Sequence, residues 1–413
     1  MKTVFVSTFP PNRCGIATYT YNLAQCLMDL DPDLLISVLS FKTGLALSLP
    51  FGIGAERLLT PSRQIDVLRL IRKGGRGSYA LAAKIANRSD INIAHIQHEF
   101  GIFGGIFGEY VLGLANSLEK PKCITFHHVL SKPEPERREV VNELADVCDR
   151  IIVHTQIAAK FLESAYDVAS NKIAVIPHGS PKINHHNAEN ELRVKLRIKG
   201  VPTISTFGLL DPRKGIEYAV EALSTITDKH PYAELLIIGE THPNVKKKQG
   251  EAYRRKLEHL ANDLKLRDKV RFINRFMTEQ EIIEYLLASD IYIIPYLPEE
   301  QVSCGTLAYA MACGKAIVST PFFHALEALK GKSEVSTAMD KREHVTGIDL
   351  GERGILVPFR DSDAIAKAVM TYMENREMKK SMEQKAYEYA NKSGSWAVVA
   401  EKHLNLYKEL VKQ

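Results

Sequence analysis

Cysteine is scarce in this chain of 413 residues, and the cysteines present do not come in pairs. No Cys-x-x-Cys occurs, and no cysteine lies at a metal-ligand spacing from a histidine. A small disulfide-stapled scaffold is therefore excluded, and we expect the cysteines to be reduced and mostly buried. The six are Cys14, Cys26, Cys123, Cys148, Cys304 and Cys313.

The chain also lacks a large excess of charge of either sign. The 54 Lys and Arg residues nearly balance the 49 Asp and Glu residues, which leaves a formal net charge of +5. The longest basic run is Lys246-Lys247-Lys248. A surface built to hold nucleic acid is therefore not expected, whereas a local site for an anionic ligand is compatible with this composition.

Long apolar runs are missing as well. No uninterrupted apolar stretch reaches the roughly 18 residues that a membrane-spanning helix needs. The first residues, MKTVFVSTFPP, have neither the apolar core nor the small-residue cleavage site of a secretory signal. We therefore predict a cytoplasmic protein, and this prediction is compatible with peripheral contact to a membrane surface.

The chain instead alternates between short strand-like runs and longer segments of helical period. Most of the short runs are apolar on both alternate faces, as strands covered by helices on both sides must be. This pattern predicts an α/β protein with two doubly wound parallel sheets. The predicted strands of the first half are Thr3–Ser7, Ile36–Ser40, Ile93–Gln97, Cys123–His127, Ile151–His154 and Ile173–Ile176. Those of the second half are Thr203–Phe207, Leu235–Ile238, Val270–Ile273, Ile291–Pro295, Ala316–Ser319 and Gly354–Pro358.

A polar stretch without helical or strand period separates the two sets of strands. It starts at Pro177-His178-Gly179-Ser180-Pro181 and continues through Asn184 to Asn190. We therefore predict an N-terminal domain over residues 1–180 and a C-terminal domain over residues 181–394. In the remaining residues, 395–413, apolar side chains recur at helical spacing from Trp396 onward, which predicts an amphipathic helix.

Candidate ligand contacts follow the predicted strands, because ligands collect at the carboxyl ends of the strands in open parallel sheets. Gly15, at the start of the first helix, would let a phosphate or sugar approach the backbone closely. His98 and His127 end two strands, where an imidazole could bind a sugar hydroxyl or a leaving oxygen. An ordinary turn and satisfied loop histidines are the alternative interpretations. The absence of Gly-x-Gly-x-x-Gly argues against a nicotinamide enzyme.

The second half carries cations at the same edge. Gly208 follows its first strand, and Arg213 and Lys214 come just before the next helix. Cations beside exposed helix N–H groups suit a diphosphate, although an Arg-Lys pair is also common on solvated surface. Glu240 lies in the loop after the next strand.

The most specific segment follows the strand that ends near Tyr296. Polar residues come first, and small residues then open a helix, which leaves its N–H groups accessible to a phosphate. A plain βαβ unit is the alternative interpretation. The predicted contacts are Ser303, Cys304, Gly305 and Thr306.

Over nearly its whole length the chain resembles the retaining glycosyltransferase family 4. The resemblance includes the Gly15 loop and the Thr-Phe-His end of the strand at His127. Four further segments carry it: Val-Ile-Pro-His-Gly at 175–179, Phe-Gly-x5-Lys-Gly at 207–215, Gly-Lys-Ala-Ile-Val-Ser-Thr at 314–320, and Gly-Ile-Leu-Val-Pro from 354.

This resemblance implies a GT-B fold, with two facing Rossmann-like domains and a last helix that returns to the first domain. It implies transfer of a hexose of mannose or glucose type, with retention, from a GDP- or UDP-sugar to a carbohydrate or lipid-linked saccharide acceptor. Polysaccharide biosynthesis is a typical setting. The acceptor would bind the first domain and the nucleotide sugar the second, without a separate cofactor and without nucleic acid.

The chain departs from the family at two places. Leu209 stands where an arginine usually follows the glycine, and Arg213 is the expected replacement. The Glu-x7-Glu signature falls on Gln301 and Tyr309, as in a subgroup where Gln and Ser-x-Gly-Thr-Leu-Ala-Tyr replace the acidic pair. The resemblance implies that Gln301 contacts the donor sugar and Tyr309 the ribose.

The remaining roles are also implied by the resemblance. His127 would contact the donor sugar or receive a hydrogen bond across the cleft, and Lys214 would hold the leaving diphosphate. Base recognition would involve Glu240, Arg275 and Phe276. Because cations and a helix N-terminus would neutralise the diphosphate, we expect no metal ion.

Two other functions are compatible with the same sequence. One is a non-catalytic sugar- or nucleotide-binding partner subunit, which the missing glutamates favour. The other is a different GT-B reaction, such as epimerisation of a nucleotide sugar.

Overall fold

In the computed structural model, the chain folds into two compact units. Unit 1 comprises Met1–Gly179 and Trp396–Gln413, and unit 2 comprises Ser180–Ser395. The residues that the structure describes are 1–42, 55–59, 64–183, 189–331 and 345–412. Part of the predicted linker, residues 184–188, lies outside them.

Unit 1 is built on an eight-stranded sheet with the order β3-β4-β2-β1-β5-β6-β7-β8. All neighbouring strands are parallel except β3 and β4. The strands are β1 Lys2–Val6, β2 Leu35–Phe41, β3 Ala55–Leu59, β4 Gln64–Ile71, β5 Ile93–His98, β6 Lys122–Phe126, β7 Arg150–Val153 and β8 Ile173–Val175. The first helices are α1 Gly15–Leu30, α2 Arg76–Ala86, α3 Tyr110–Ser117, α4 Pro135–Val147 and α5 Gln156–Tyr166.

Unit 2 is built on a seven-stranded sheet with the order β11-β10-β9-β12-β13-β15-β14. Its strands are β9 Thr203–Phe207, β10 Glu234–Ile238, β11 Val270–Ile273, β12 Ile291–Ile294, β13 Ala316–Ser319, β14 Asp349–Leu350 and β15 Ile355–Leu356. Its helices are α6 Glu189–Lys195, α7 Ile216–Lys229, α8 Pro243–Gln249, α9 Ala252–Asp263, α10 Glu279–Leu287, α11 Gly305–Ala312, α12 Phe323–Lys330, α13 Ser362–Glu374 and α14 Arg376–Ser393. The last helix, α15 Trp396–Lys412, belongs to unit 1.

All twelve predicted strands are present, so the predicted α/β class with two parallel sheets is confirmed. The sequence did not reveal β3, β4 and β14. In β4, Gln64, Asp66 and Arg69 interrupt the apolar run, and β3 and β14 are antiparallel strands at sheet edges. Edge strands need no continuous apolar sequence, because one side of the strand has no neighbour to pair with.

Strand β12 shows why the apolar runs identified the sheets. Its residues Ile291 and Ile293 pack into one buried cluster with helices α7 and α13, and Tyr292 and Ile294 pack into another with α11 and α14. Successive side chains of a strand point to opposite faces, so both faces of this sheet are covered by helices. The strand order also places β9 between β10 and β12. The loops that leave β9 and β12 therefore meet at the point where the strand order reverses, which is where ligands bind in such sheets.

Helix α15 completes the core of unit 1 and confirms the predicted amphipathic helix. Trp396, Val399, Leu404 and Tyr407 are buried in one cluster with Phe5 of β1 and with apolar residues of α1. None of the helices in the described ranges is long and apolar enough to cross a membrane.

Gly179 is where the start of α15 packs most closely. A Cβ atom at Gly179 would lie 2.1 Å from Cε3 of Trp396. Only a residue without a side chain fits against this indole ring.

We expect Gly179→Ala to lower the free energy of unfolding by about 1–3 kcal/mol, because a methyl group there overpacks the Trp396 contact. Urea denaturation followed by tryptophan fluorescence measures this directly, since Trp396 is the only tryptophan of the chain. The control is Gly113→Ala in α3, where a Cβ would meet no described atom within 4 Å. There alanine should be neutral or stabilising by up to about 1 kcal/mol. Equal stability of the two variants would contradict the prediction.

Candidate functional site

Lys214 is the central cation of the loop between β9 and α7. Gly215, with φ +59°, turns this loop against the end of β12, so that a Cβ there would lie 2.2 Å from the Pro295 carbonyl oxygen. The Leu297 N–H donates to the Arg213 carbonyl at 2.9 Å, which fastens the two loops together. As a result, the Lys214 Nζ lies 3.5 Å from the centroid of the Tyr296 ring.

The environment of Lys214 alters its acidity. Burial lowers the pKa of Lys214 to about 8, because desolvation disfavours the charged form. The face of the tyrosine ring attracts the ammonium group in return. At neutral pH the group is therefore a cation that is poorly hydrated, which makes it a strong attractor for an anion.

Arg213 points to a different partner. Its guanidinium makes two hydrogen bonds to Asp211, from Nε at 3.0 Å and from Nη2 at 2.7 Å, and its side chain is exposed. Hydrogen bonds from Arg213 lower the pKa of the Asp211 carboxyl against the opposing effect of burial. Arg213 therefore shares its charge with Asp211.

The amino terminus of α11 lies beside Lys214. The Tyr296 hydroxyl is 2.9 Å from the Thr306 Oγ1, and the Cys304 Sγ is 3.3 Å from the same oxygen. Cys304 is the N-cap residue of α11, and its side chain makes no capping hydrogen bond to the described part of the helix. Gly305 and Thr306 of the first turn are half-buried, so their N–H groups and the Lys214 ammonium belong to one electropositive site.

Two glycines bring the neighbouring loops close to this site. Gly208 has φ +138°, and a Cβ on it would lie 3.8 Å from both the Tyr296 hydroxyl and Thr306 Cγ2. Gly239 follows β10 with φ +131°, and its Cβ would clash with the Gly208 carbonyl oxygen at 2.0 Å. The Leu210 N–H donates to the Glu240 carbonyl at 2.8 Å. The loops after β9, β10 and β12 therefore form one surface.

Gln301 and Tyr309 lie at either end of the α11 region. The Gln301 amide Nε2 donates to the Ser303 carbonyl at 3.0 Å, which holds the loop before α11. Tyr309 is buried, and its hydroxyl donates to the carboxylate of Glu279 at the start of α10. Tyr309 stands where glycosyltransferase family 4 usually has its second glutamate. The Glu279 carboxylate is therefore in contact with the side chain at that position.

The loop between β11 and α10 carries the other two predicted residues. The Arg275 Nη1 lies 2.5 Å from the carboxylate of Glu281, and Phe276 is 39% exposed. An exposed aromatic ring offers a surface on which a nucleobase could stack.

In unit 1, Gly15 is the first residue of α1 and is exposed. A Cβ at this position would meet no described atom within 4 Å. The Cys14 Sγ accepts a hydrogen bond from the Ala17 N–H at 3.4 Å and so caps the helix. The backbone at Gly15 is therefore open to close approach, as the sequence predicts.

His127 is held by two partners within unit 1. Its Nε2 lies 2.7 Å from the Gln97 Oε1, and its Nδ1 lies 3.3 Å from the Nε2 of His154. Burial holds the pKa of His127 well below its ordinary value, so the ring is neutral at neutral pH. Both ring nitrogens of His127 therefore face partners inside unit 1.

His98 is fully buried, and its ring stacks on Phe103 with centroids 5.9 Å apart. Burial lowers the pKa of His98 to about 3. Among the described residues, neither of its ring nitrogens has a hydrogen-bond partner. His98 thus lies in the core beneath the sheet edge, and not at the ligand-accessible position that the sequence suggests.

The sequence did not single out two residues that organise the site. Tyr296 supplies the ring under Lys214, and its position directly after a strand was the available signal. Glu279 reaches Tyr309 from another helix, and no spacing in the sequence reveals that contact. In the described part of the chain, no group of three or more His, Cys, Asp and Glu side chains could hold a metal ion.

Two family models match the chain, and together they cover most of it. Glycosyltransferase Family 4 matches residues 14–180, and Glycosyl transferases group 1 matches residues 188–389. A curated relative, D-inositol 3-phosphate glycosyltransferase of Corynebacterium glutamicum, is 27% identical over 292 residues, which are 68% of this chain and 62% of that protein. The relative of the same name from Acidothermus cellulolyticus is 30% identical over 204 residues, 45% of this chain and 42% of that protein. The chain thus matches about three fifths or less of these relatives' length.

Solved structures show the same fold over the full length. Sucrose-phosphate synthase from Thermosynechococcus elongatus is 18% identical with a TM-score of 0.74, and 99% of each chain is covered. Anabaena Alr3699/HepE in complex with UDP-glucose is 16% identical with a TM-score of 0.70, covering 99% of this chain and 100% of that one. The fold is therefore GT-B, and the chain belongs to the group 1, or family 4, glycosyltransferases.

Proposed function

We propose that this protein is a glycosyltransferase that moves a hexose of mannose or glucose type from a GDP- or UDP-sugar to a carbohydrate or glycolipid acceptor, with retention of configuration. One observation carries the proposal: the partly desolvated Lys214 ammonium lies beside the amino terminus of α11, linked to it through Tyr296 and Thr306. A diphosphate matches this pair of positive groups in charge. The relatives named D-inositol 3-phosphate glycosyltransferase and the solved Anabaena Alr3699/HepE complexes with UDP or UDP-glucose support the same substrate class.

The chemistry follows from where charge develops. When the bond between the anomeric carbon and the diphosphate breaks, the sugar becomes oxocarbenium-like and the leaving phosphate gains negative charge. Lys214 and the N–H groups of Gly305 and Thr306 would stabilise this charge, each worth on the order of 2–4 kcal/mol in a site shielded from water. Because these groups already supply positive charge, we propose that the transfer needs no divalent metal.

The remaining contacts are assigned by position. Gln301 would hydrogen-bond donor-sugar hydroxyls, and Tyr309 with its Glu279 partner would lie beside the ribose. Glu240 and Phe276 would border the base. The acceptor would bind unit 1 near Gly15.

The decisive experiment is donor turnover with purified protein. Release of UDP or GDP from the matching hexose donors, measured with and without acceptor extracts, should be stimulated by an acceptor and should persist in EDTA. Affinity without nucleotide release would favour the non-catalytic binding protein, and isomerised donor without acceptor would favour an epimerase. Activity lost in EDTA and restored by Mg²⁺ or Mn²⁺ would reject the metal-independent mechanism.

We expect Lys214→Ala to weaken nucleoside diphosphate binding and to lower turnover by about 10² to 10³, because the leaving group loses its main cation. Calorimetry and steady-state kinetics measure the two effects. Lys229→Ala, at the far end of α7, is the matched control and should behave as the wild type. A folded Lys214→Ala protein with unchanged kinetics would remove Lys214 from the site.

The pKa of about 8 at Lys214 predicts how binding depends on pH. Only the protonated lysine attracts the diphosphate, so affinity should be constant below pH 8 and should fall above it by up to about tenfold per pH unit. Calorimetry with UDP or GDP between pH 7.5 and 9 tests this, since the diphosphate is then largely ionised and most of the uracil or guanine rings still carry their N–H proton. Lys214→Arg stays charged over this range and should give a flat profile. A wild-type profile as flat as that of the arginine variant would contradict the assignment.

We expect Gln301→Ala to lower turnover at least tenfold, about 1.4 kcal/mol, while nucleoside diphosphate affinity stays nearly constant. The amide can orient sugar hydroxyls because it carries both a donor and an acceptor. Glu299→Ala, an exposed neighbour, is the control. An equal loss of diphosphate affinity in Gln301→Ala would instead mean that the side chain acts only by holding the Ser303 carbonyl.

A further inference from the structure

Arg254 is a buried arginine under the loop that follows β10. It lies in α9, and its side chain is 5% exposed. Its Nη2 donates to the Gly239 carbonyl at 3.0 Å, and its Nε donates to the Glu251 carboxylate at 3.3 Å. The same carboxylate accepts a hydrogen bond from the Thr241 hydroxyl. Arg254 therefore holds the Gly239 end of the short segment Gly239-Glu240-Thr241 directly, and it holds the Thr241 end only through Glu251.

This segment borders the site through Gly239. The Gly239 backbone has φ +131°, a conformation that residues with side chains rarely adopt. It packs so closely against the Lys214 loop that a Cβ on Gly239 would lie 2.0 Å from the Gly208 carbonyl oxygen. In a trans peptide the C=O and N–H groups point in opposite directions. Since the Gly239 carbonyl points to Arg254, the Glu240 N–H of the same peptide points away from α9. The guanidinium thus sets the direction of that N–H group.

Stability alone does not account for this arginine. The Nη1 of Arg254 is buried and has no hydrogen-bond partner among the described residues. An unsatisfied buried donor costs about 1–3 kcal/mol or more, a cost that an apolar side chain would avoid. The guanidinium carbon lies 6.0 Å from the centroid of the Phe272 ring in β11. What the arginine contributes is the shape of the loop.

We propose that Arg254 is a positioning residue for nucleotide recognition, which holds the Gly239–Thr241 backbone in the conformation that meets the nucleoside part of the donor. This inference rests on the proposed function, because it takes the surface beside Lys214 as the nucleotide site. Arg254 acts through the loop and does not touch the reacting atoms. Its loss should therefore affect binding of the donor more than the chemical step.

The test measures Kd for UDP and GDP by calorimetry, and KM and kcat for the donor, in the full-length protein. Arg254→Met keeps the length and apolar stem of the side chain. We expect its Kd and KM to rise roughly tenfold or more, with kcat at saturating donor within about threefold of the wild type. Arg254→Lys, which can keep one of the two contacts, should recover part of the affinity. Arg255→Met, an exposed neighbour on the same helix, is the matched control and should change neither constant.

The outcomes separate the two claims. A wild-type protein that binds neither UDP nor GDP rejects the proposed function and the inference with it. A wild type that binds, together with a folded Arg254→Met protein of equal Kd, overturns the inference alone, as does a loss confined to kcat. If Arg254→Met does not fold, Glu251→Gln and Arg254→Lys decide. Weakened binding in either variant supports the positioning role, and wild-type Kd in both overturns it.

Discussion

A lysine ammonium held against an aromatic ring, partly out of water, is the interaction on which the site depends. Lys214 reaches the Tyr296 ring because Gly215 takes a left-handed turn and because the Leu297 and Arg213 backbones are joined. The Tyr296 hydroxyl in turn meets the first turn of α11. Arg213 carries the same charge one residue away, but its exposure and its Asp211 partner leave it far less attraction for an anion. Both side chains are charged at neutral pH. What distinguishes the two cations is how far each is exposed to water.

The sequence predicted the sheets because each central strand is buried on both faces. Ile291 to Ile294 must all be apolar when helices cover both sides, and a run of that kind is visible without any knowledge of its neighbours. Gly208, Lys214 and the residues before α11 could be found for the same reason, since strand ends mark where loops meet. Contacts between distant segments could not be found. The pairing of Tyr309 with Glu279, and the burial of His98 and His127 beneath the edge, depend on how helices and strands pack in three dimensions.

The replaced acidic residues illustrate the difference between a residue type and the charge at its position. Tyr309 carries no charge, yet its hydroxyl donates to a carboxylate that belongs to α10. Negative charge therefore reaches this part of unit 2 by another route. The histidines of unit 1 show the converse: they stand at strand ends, where a ligand contact is expected, but burial keeps His127 neutral and its two ring nitrogens face Gln97 and His154. Motif matching identifies the positions, and packing decides what each can do.

The contribution of α15 to the unit 1 core affects how the protein can be made. Trp396, Val399, Leu404 and Tyr407 share a buried cluster with Phe5 and Tyr19, although more than 370 residues separate the two groups along the chain. In unit 2, the Ser180 N–H donates to the Gly394 carbonyl at 2.8 Å, so the two ends of unit 2 lie next to each other. Unit 2 is thus an insertion whose own core is complete once residue 395 has been synthesised, and domains generally fold as units during synthesis. Residues 1–179 of unit 1 are synthesised before unit 2. The apolar surface that α15 covers nevertheless stays exposed until that helix has been synthesised. During translation, residues 1–179 therefore have to wait for residues 396–412, and they are the part of the two units most in need of protection by a chaperone.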